Sequence, residues 1–396
     1  MSGTERITTR VSDAELERRW AAARAAMAER GLDALVMQNT NDWLGGHVKW
    51  FTDIPANNGY PRTVVFHAEE PMTVVEMGAF GVRRDLEGRD PIHRGVGEHL
   101  FTPSFFSIPY TLSYDAELAL GALRAHGARR VGLVGAGALP AALTDALRRE
   151  YPGEALADAT EAVDRIKAIK SEEEVALIRR TAALQDAVFA KVLEGIRPGM
   201  RDVELTALAQ REAQVLGSEQ GIFLGSSAPL GVRAGFQSRH MQGRTIQAGE
   251  HFSLLIEVNG PGGFYTEIAR TVVLGRASAE VLDGFAAVKA AQDHTLGLLR
   301  PGVPCRDVAA AHDAYMQARG LPPEIRLYCH GQGYDMVERP LIRADESWEI
   351  AAGMCLAVHP GYETPSLFAV ICDNYMIGAD GPGACLHATE KKVFEI

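Results

Sequence analysis

Two glutamates, three histidines and a cysteine hold most of the sequence's chemical interest. The stretch HFSLLIEVNGPGGFYTEIARTVVLG (251–275) reads as a hairpin, strand 253–258 and strand 264–274 around the turn NGPGG. Strand alternation puts Ser253, Leu255 and Glu257 on one face, and Tyr265, Glu267, Ala269 and Thr271 on one face of the returning strand. A symmetric turn then sets Glu257 nearly opposite Glu267. Paired like charges are unfavourable, and buried ones need a cation, a shared proton or basic partners. The competing reading has one glutamate in solvent or bridged to a base such as Arg270.

Other polar residues stand at strand ends. In RLYCHGQGYDMVERP (326–340), His330 precedes a Gly-x-Gly whose glycines allow close backbone approach, although a lone histidine there is commonly structural. In CLAVHPGYE (355–363), His359 ends an apolar strand just before Pro-Gly. The stretch FAVICDNYMIG (368–378) reads as one apolar strand carrying Cys372 and Asp373, with a core cysteine the plainest reading. A glycine-punctuated loop (226–252) carries His240, either a functional or a surface histidine.

The elements that must position these residues divide in two. Residues 1–160 alternate helices (14–30, 115–126, 139–150) with strands (33–38, 62–66, 72–77, 130–135), the pattern of a small α/β domain. Its GLVGAGALPAAL (132–143) carries a Gly-x-Gly, but Pro140 stands where a dinucleotide fingerprint needs glycine, so a tight strand-to-helix turn is expected. Residues 161–396 open on a long helix (171–195) with a Ser171–Glu174 capping box. This half contains an echo: RPGMRDVELTALAQREAQVLG (197–217) and RPGVPCRDVAAAHDAYMQARG (300–320), each after a helix and before strands. Two α/β halves related by a pseudo-twofold, their strands meeting as one sheet, are expected, with a site between them.

Composition narrows the partners. A formal charge of −11 argues against nucleic acid and anionic membranes, and no apolar run is long enough to span a bilayer. The polar N-terminus reads as no secretory signal. With five cysteines and no CxxC, reduced thiols in a cytoplasm are expected.

In order along the chain, RIKAIKSEEEVALIRR, IRPGMRDVEL, GFYTEIARTVVLG, CHGQGYDMVERP, AGMCLAVHPGY and VICDNYMIGADGPGACL resemble segments of the creatinase/prolidase/aminopeptidase P family, which includes the methionine aminopeptidases. The resemblance covers nearly the whole chain. It implies the two-domain pita-bread fold, an α/β (α+β) architecture. It also implies a homodimer in which one subunit's N-terminal domain completes the other's site. The family's metallopeptidases hold two metal ions with two Asp, one His and two Glu. By resemblance those places fall at Glu267 and, one residue out of register, Glu257, then His330, His359 and Cys372. A further histidine of the pattern is Val337. Loss of carboxylates argues against a two-metal centre. A metal-free site is the leading expectation. A single softer ion (Zn, Fe or Mn) on Glu267, His330 and His359, with Cys372 or Glu257, is the other.

Creatinase, a metal-free relative, supplies a template. By that resemblance His240 would activate water and protonate the leaving nitrogen, and Tyr60, Arg62 and Tyr265 would contact the substrate, Arg62 anchoring a carboxylate across the dimer. Glu267 and Glu257 would hold a cationic nitrogen, and His330 and His359 would polarise the scissile group. Ala269 and His359 depart from creatinase's pattern, which turns the expectation away from creatine and towards another small carboxylate-bearing guanidino, amidine or amide compound. Ectoine hydrolase is a nearby comparison. The alternatives are a single-ion Xaa-Pro type peptidase or lyase, and a non-catalytic binding protein.

Overall fold

A computed structural model describes residues 9–41, 46–55 and 57–396, so the start of the polar N-terminal stretch lies outside the described residues. The chain divides into two compact units, Arg10–Lys167 and Ala168–Ile396. The division falls after helix Thr160–Ala168 has begun rather than at residue 160, because that helix remains packed with the first unit.

The first unit runs α1 (Asp13–Arg30), β1 (Ala34–Asn39), α2 (Gly46–Thr52), β2 (Arg62–His67), β3 (Met72–Met77), β4 (Arg83–Asp85), β5 (Val96–Thr102), α3 (Leu112–Ala125), β6 (Val131–Leu133), α4 (Ala141–Glu150), β7 (Leu156–Asp158) and α5 (Thr160–Ala168). Ser12 caps α1 by accepting from the Glu15 amide, and Gly31 ends it in the left-handed region. Seven strands form one mixed sheet in the order β4-β5-β3-β2-β1-β6-β7. Val36 and Val65 from its centre pack against Leu123 of α3 and Leu143 and Leu147 of α4. Each such side chain, taken from water, contributes about 1.5–3 kcal/mol. Gly135 takes a left-handed turn between β6 and α4, the tight connection expected there.

The second unit runs α6 (Glu172–Gly195), α7 (Asp202–Val215), β8 (Gly221–Pro229), β9 (Glu250–Asn259), β10 (Tyr265–Val273), α8 (Ala279–Leu298), α9 (Cys305–Ala318), β11 (Cys329–Gly331), β12 (Glu338–Leu341), β13 (Cys355–Val358), β14 (Gly361–Glu363), β15 (Phe368–Val370), β16 (Asp373–Gly378), β17 (Gly381–Cys385) and β18 (Phe394–Glu395). The capping box of α6 forms as expected, Ser171 Oγ accepting from Glu174 and Glu174's carboxylate accepting from the Ser171 amide. The sequence echo is a structural repeat. The first half folds helix, helix and an antiparallel β9–β10 pair, and the second does the same with β13–β16. Gln185 of α6 donates to the Val258 carbonyl (3.1 Å), and Gln292 of α8 donates to the Val358 carbonyl (2.9 Å).

Two expectations need correction. The halves do not share one sheet. They form a four-stranded sheet, β18-β10-β9-β8, and a five-stranded one, β12-β11-β13-β16-β17, joined at the bridge Ala269↔Cys372. Residues 368–378 are accordingly not one strand. The apolar run changes partner at Ile371–Cys372, so Phe368–Val370 pairs with β14 while Asp373–Gly378 pairs with β13. Among the described residues no helix is long and apolar enough to cross a membrane, and the five cysteines are free thiols.

Candidate active site

The turn after β9 fixes the register, pairing Tyr265 with Asn259 and therefore Glu267 with Glu257 directly opposite. Asn259 Oδ1 locks the strand's exit by accepting from the amides of Glu219 (2.9 Å) and Gln220 (2.8 Å). Both glutamates are buried, at 7% and 3% exposure. The reading in which one faces solvent is therefore excluded, as is a bridge to Arg270, whose guanidinium pairs with Asp373.

The second half supplies the histidines. His330 stands on β11, and His359 follows the last residue of β13, its amide donating to the Tyr328 carbonyl at 2.7 Å. Glu267 Oε1 lies 3.4 Å from His330 Nε2 and 3.4 Å from His359 Nε2. Beneath them, Gln332 donates from Nε2 to Glu257 Oε1 (3.1 Å) and accepts from Asn374 Nδ2 (2.7 Å), and Asn374 Oδ1 accepts from the Glu267 amide (2.7 Å). This buried amide chain ties the two sheets together under the carboxylates. Sequence reasoning missed Gln332 and Asn374. The signal for Gln332 was a polar residue set between two glycines.

The like-charge conflict is resolved by pushing the two carboxyls apart. Burial, then the charge of Glu267, raise Glu257 well above the carboxylate range. Burial also acts to raise Glu267, but the His359 and His330 imidazoles outweigh it and hold the group at about 2. Burial lowers His359 to about 4 despite Glu267. Burial acts the same way on His330, yet Glu267 and the Gly331 carbonyl leave it raised. His330 Nδ1 lies 2.9 Å from the Gly331 carbonyl oxygen, which can only accept, so the proton is on Nδ1 and Nε2 points at Glu267.

The separations carry the chemistry. At 3.4 Å, both Nε2–Oε1 contacts are longer than charge-assisted hydrogen bonds, and Glu267 Oε1 and His359 Nε2 have no hydrogen-bond partner although buried. Two ligands of a tetrahedral ion with bonds of about 2.0–2.1 Å stand about 3.3–3.4 Å apart. The ligand atoms of Glu267, His330 and His359 all lie within 4.8 Å of one another. The carbonyl bond at His330 Nδ1 is the support that metal-bound imidazoles characteristically have. The residues therefore fit one divalent cation. Glu257, the other carboxyl of the pair, is engaged by Gln332 (3.1 Å) and is raised by burial and by the charge of Glu267.

Cys372 lines the same cavity of about 220 Å³, but its thiol donates to the Glu267 carbonyl (3.5 Å) and burial raises it well above its usual range. Val337, in the missing histidine's place, also lines it. His240 sits exposed on the turn Arg239–Met241 and does not line this cavity. Tyr265 is wholly buried on Glu267's face of β10, outside the cavity walls. Tyr60 and Arg62 belong to the first unit. Tyr60 is partly exposed beside Phe105, while Arg62 is buried, with Nε on Glu76 (2.7 Å) and Nη1 on the Pro55 carbonyl (2.7 Å). Its guanidinium is thus already bonded within its own unit.

The glycine after His330 is a positional requirement. A Cβ on Gly331 would lie 2.5 Å from the Arg339 carbonyl oxygen and 2.9 Å from that of Glu338, both backbone atoms of the paired strand. Gly331→Ala is expected to push β11 from β12, shift His330 and cost about 1–3 kcal/mol. Denaturant titration checks this, and an unchanged midpoint would show that the strand yields freely.

Comparisons with known proteins agree with this architecture. A model of metallopeptidase family M24 matches residues 176–379, more than half of the chain. Probable dipeptidase PepE of Mycobacterium tuberculosis is 25% identical over 239 residues, 58% of this chain and 62% of that protein, so the chain spans under two thirds of that relative's length. The uncharacterized hydrolase/peptidase y4tL of Sinorhizobium fredii is 26% identical over 325 residues, 79% of each chain. Among solved structures, the X-Pro aminopeptidase of Thermotoga maritima has a TM-score of 0.78 at 14% identity, covering 95% of this chain and 99% of that one. Dipeptidase PepE of Mycobacterium ulcerans has a TM-score of 0.74 at 23% identity, covering 98% and 99%. The family match rests on the helices and sheets that carry Glu257, Glu267, His330, His359 and Cys372, and the chain belongs to metallopeptidase family M24.

Proposed function

We propose that this chain hydrolyses a C–N bond in a small carboxylate-bearing amide or amidine, using one divalent cation where the family pattern holds two. The observation that carries this reading is the pair of 3.4 Å separations from Glu267 Oε1 to His330 Nε2 and His359 Nε2, with buried ligand atoms lacking partners. Names among its relatives, dipeptidase and Xaa-Pro dipeptidase, describe cleavage of a C–N bond.

Glu267, His330 and His359 would hold the cation, and two imidazoles favour zinc, iron or another transition ion over magnesium or calcium. When bound, the cation supplies Lewis acidity for hydrolysis. The chain's own residues do the rest. Glu257, raised by burial and by the charge of Glu267 and lining the cavity, is the proton carrier. It gives its proton to the departing nitrogen as water's oxygen bonds to the carbon, and regains one from that water. Leu224, Leu255 and Val370 wall the cavity with apolar surface that excludes bulk water. His240, outside the cavity, has no part in this reading.

A metal-free variant of the mechanism draws support from the raised His330 beside the Glu267 carboxylate, a pair able to bind a polar group directly. Reconstitution separates the two. Chelated protein should lose turnover on a panel of dipeptides, N-acyl amino acids, amidines and guanidino acids, and regain it with zinc, iron(II) or manganese. Full activity after chelation would overturn the single-ion reading. Glu257→Gln is expected to keep the cation and to lose turnover by about 10²–10⁴-fold. Retained turnover would remove Glu257 from the proton path.

A further inference from the structure

Next to the 220 Å³ cavity lies a larger one of about 470 Å³, and Arg326 and Phe236 line both. Arg326 was no part of the residues read from the sequence. Its guanidinium is rigidly held, Nε donating to Glu324 Oε1 (3.2 Å) and Nη2 to Glu324 Oε2 (3.3 Å) and the His359 carbonyl (3.2 Å). The side chain of Glu324 is itself buried and also accepts from the Gly361 amide (2.7 Å). The bonds fix one edge of the fork and leave Nη1 outside them, on a side chain about one-third exposed.

The larger cavity carries three arginines, Arg233, Arg244 and Arg326, against two carboxylates, Asp202 and Glu363. Those carboxylates are engaged, Glu363 with Arg233 (3.0 Å) and Asp202 as acceptor from the Ser227 amide (3.1 Å). Arg244 is held by Glu250, which stands outside the cavity wall. Of the three arginines, Arg326 alone also lines the cavity holding Glu267.

We infer that Arg326 anchors the substrate's carboxylate at the seam between the two cavities. Arg326 donates to the backbone carbonyl of His359 (3.2 Å), so this anchor is tied to the segment that carries one of the site's imidazoles. Leu224, Leu255 and Val370 leave room for an apolar side chain between them. The substrate class is a short dipeptide or N-acyl amino acid with a free α-carboxylate. This rests on the hydrolytic reading above, but binding tests it independently of turnover.

The experiment is a calorimetric titration with N-acetyl-leucine and with its carboxamide, N-acetyl-leucinamide. The native chain should prefer the acid by about 10–100-fold, the worth of a charge-assisted hydrogen bond. Arg326→Gln should abolish that preference, and Arg326→Lys should keep part of it. Since Arg326→Gln strands the buried Glu324, the double variant Arg326→Gln/Glu324→Gln is run alongside, with thermal melting as the check on folding. Equal binding of acid and amide by the native chain, binding of neither, or an undiminished preference in the folded double variant would each overturn the assignment. Preserved acid preference without hydrolysis of any compound would instead count against the catalytic reading alone.

Discussion

Replacing Glu267 by glutamine is expected to abolish turnover and to weaken transition-metal binding by more than about 100-fold, the upper range for losing even an outer-sphere partner of a metal site. Among the described residues Glu267 is the carboxylate within reach of both His330 and His359, and the amide has the same shape without the charge. The change has a second consequence. With no charge opposite it, Glu257 loses one of the causes that raise its pKa, so its carboxyl moves back towards the ordinary range while burial still holds it up. Zinc titration and turnover of Glu267→Gln, beside Glu257→Gln, separate ion holding from proton transfer. Native-like metal affinity in Glu267→Gln would show that the two histidines find their third ligand elsewhere.

The largest effect on stability is expected at Arg270. Arg270 and Asp373 are both 0% exposed and pair at 2.7 Å. The same guanidinium donates to the carbonyls of Ala269 (2.9 Å), Cys372 (3.0 Å), Glu390 (3.0 Å) and Thr389 (3.1 Å). It therefore sits where the two sheets meet at the Ala269↔Cys372 bridge and holds the C-terminal segment against them. Arg270→Met would leave Asp373 with Gln292 (3.0 Å) and the more distant Lys391 (3.8 Å). A buried charge stripped of its main partner costs about 3–5 kcal/mol. The double variant Arg270→Met/Asp373→Asn should recover part of this, because it removes the stranded charge. Denaturant unfolding measures both, and a loss under about 1 kcal/mol in the single variant would contradict the role given to the pair.

How far the sequence revealed this depended on the range of the interaction. The Ser171–Glu174 box and the Gly31 stop are local rules, and they were legible. The opposition of Glu257 and Glu267 was legible too, because a short turn transmits register across a hairpin. The repeat showed in two Arg-Pro-Gly segments, and its structural counterpart is the matched pair Gln185–Val258 and Gln292–Val358. The change of sheet at Cys372 was hidden, since an unbroken apolar run looks the same whether it keeps one partner or exchanges it for another. Gln332, Asn374 and Arg326 were missed because the partners that tie them to the site, Glu257, Glu267 and His359, are 33 to 107 residues away. The partners of Arg62 within its own unit, Glu76 and the Pro55 carbonyl, could be seen only once that unit was folded.

The central claim is that Glu267, His330 and His359 hold one ion. Elemental analysis of protein purified without chelator, native and Glu267→Gln side by side, tests it most directly. The account expects one tightly held transition ion per chain in the native protein and none in the variant. Two ions per chain, or none in a protein that still turns over substrate, would contradict it.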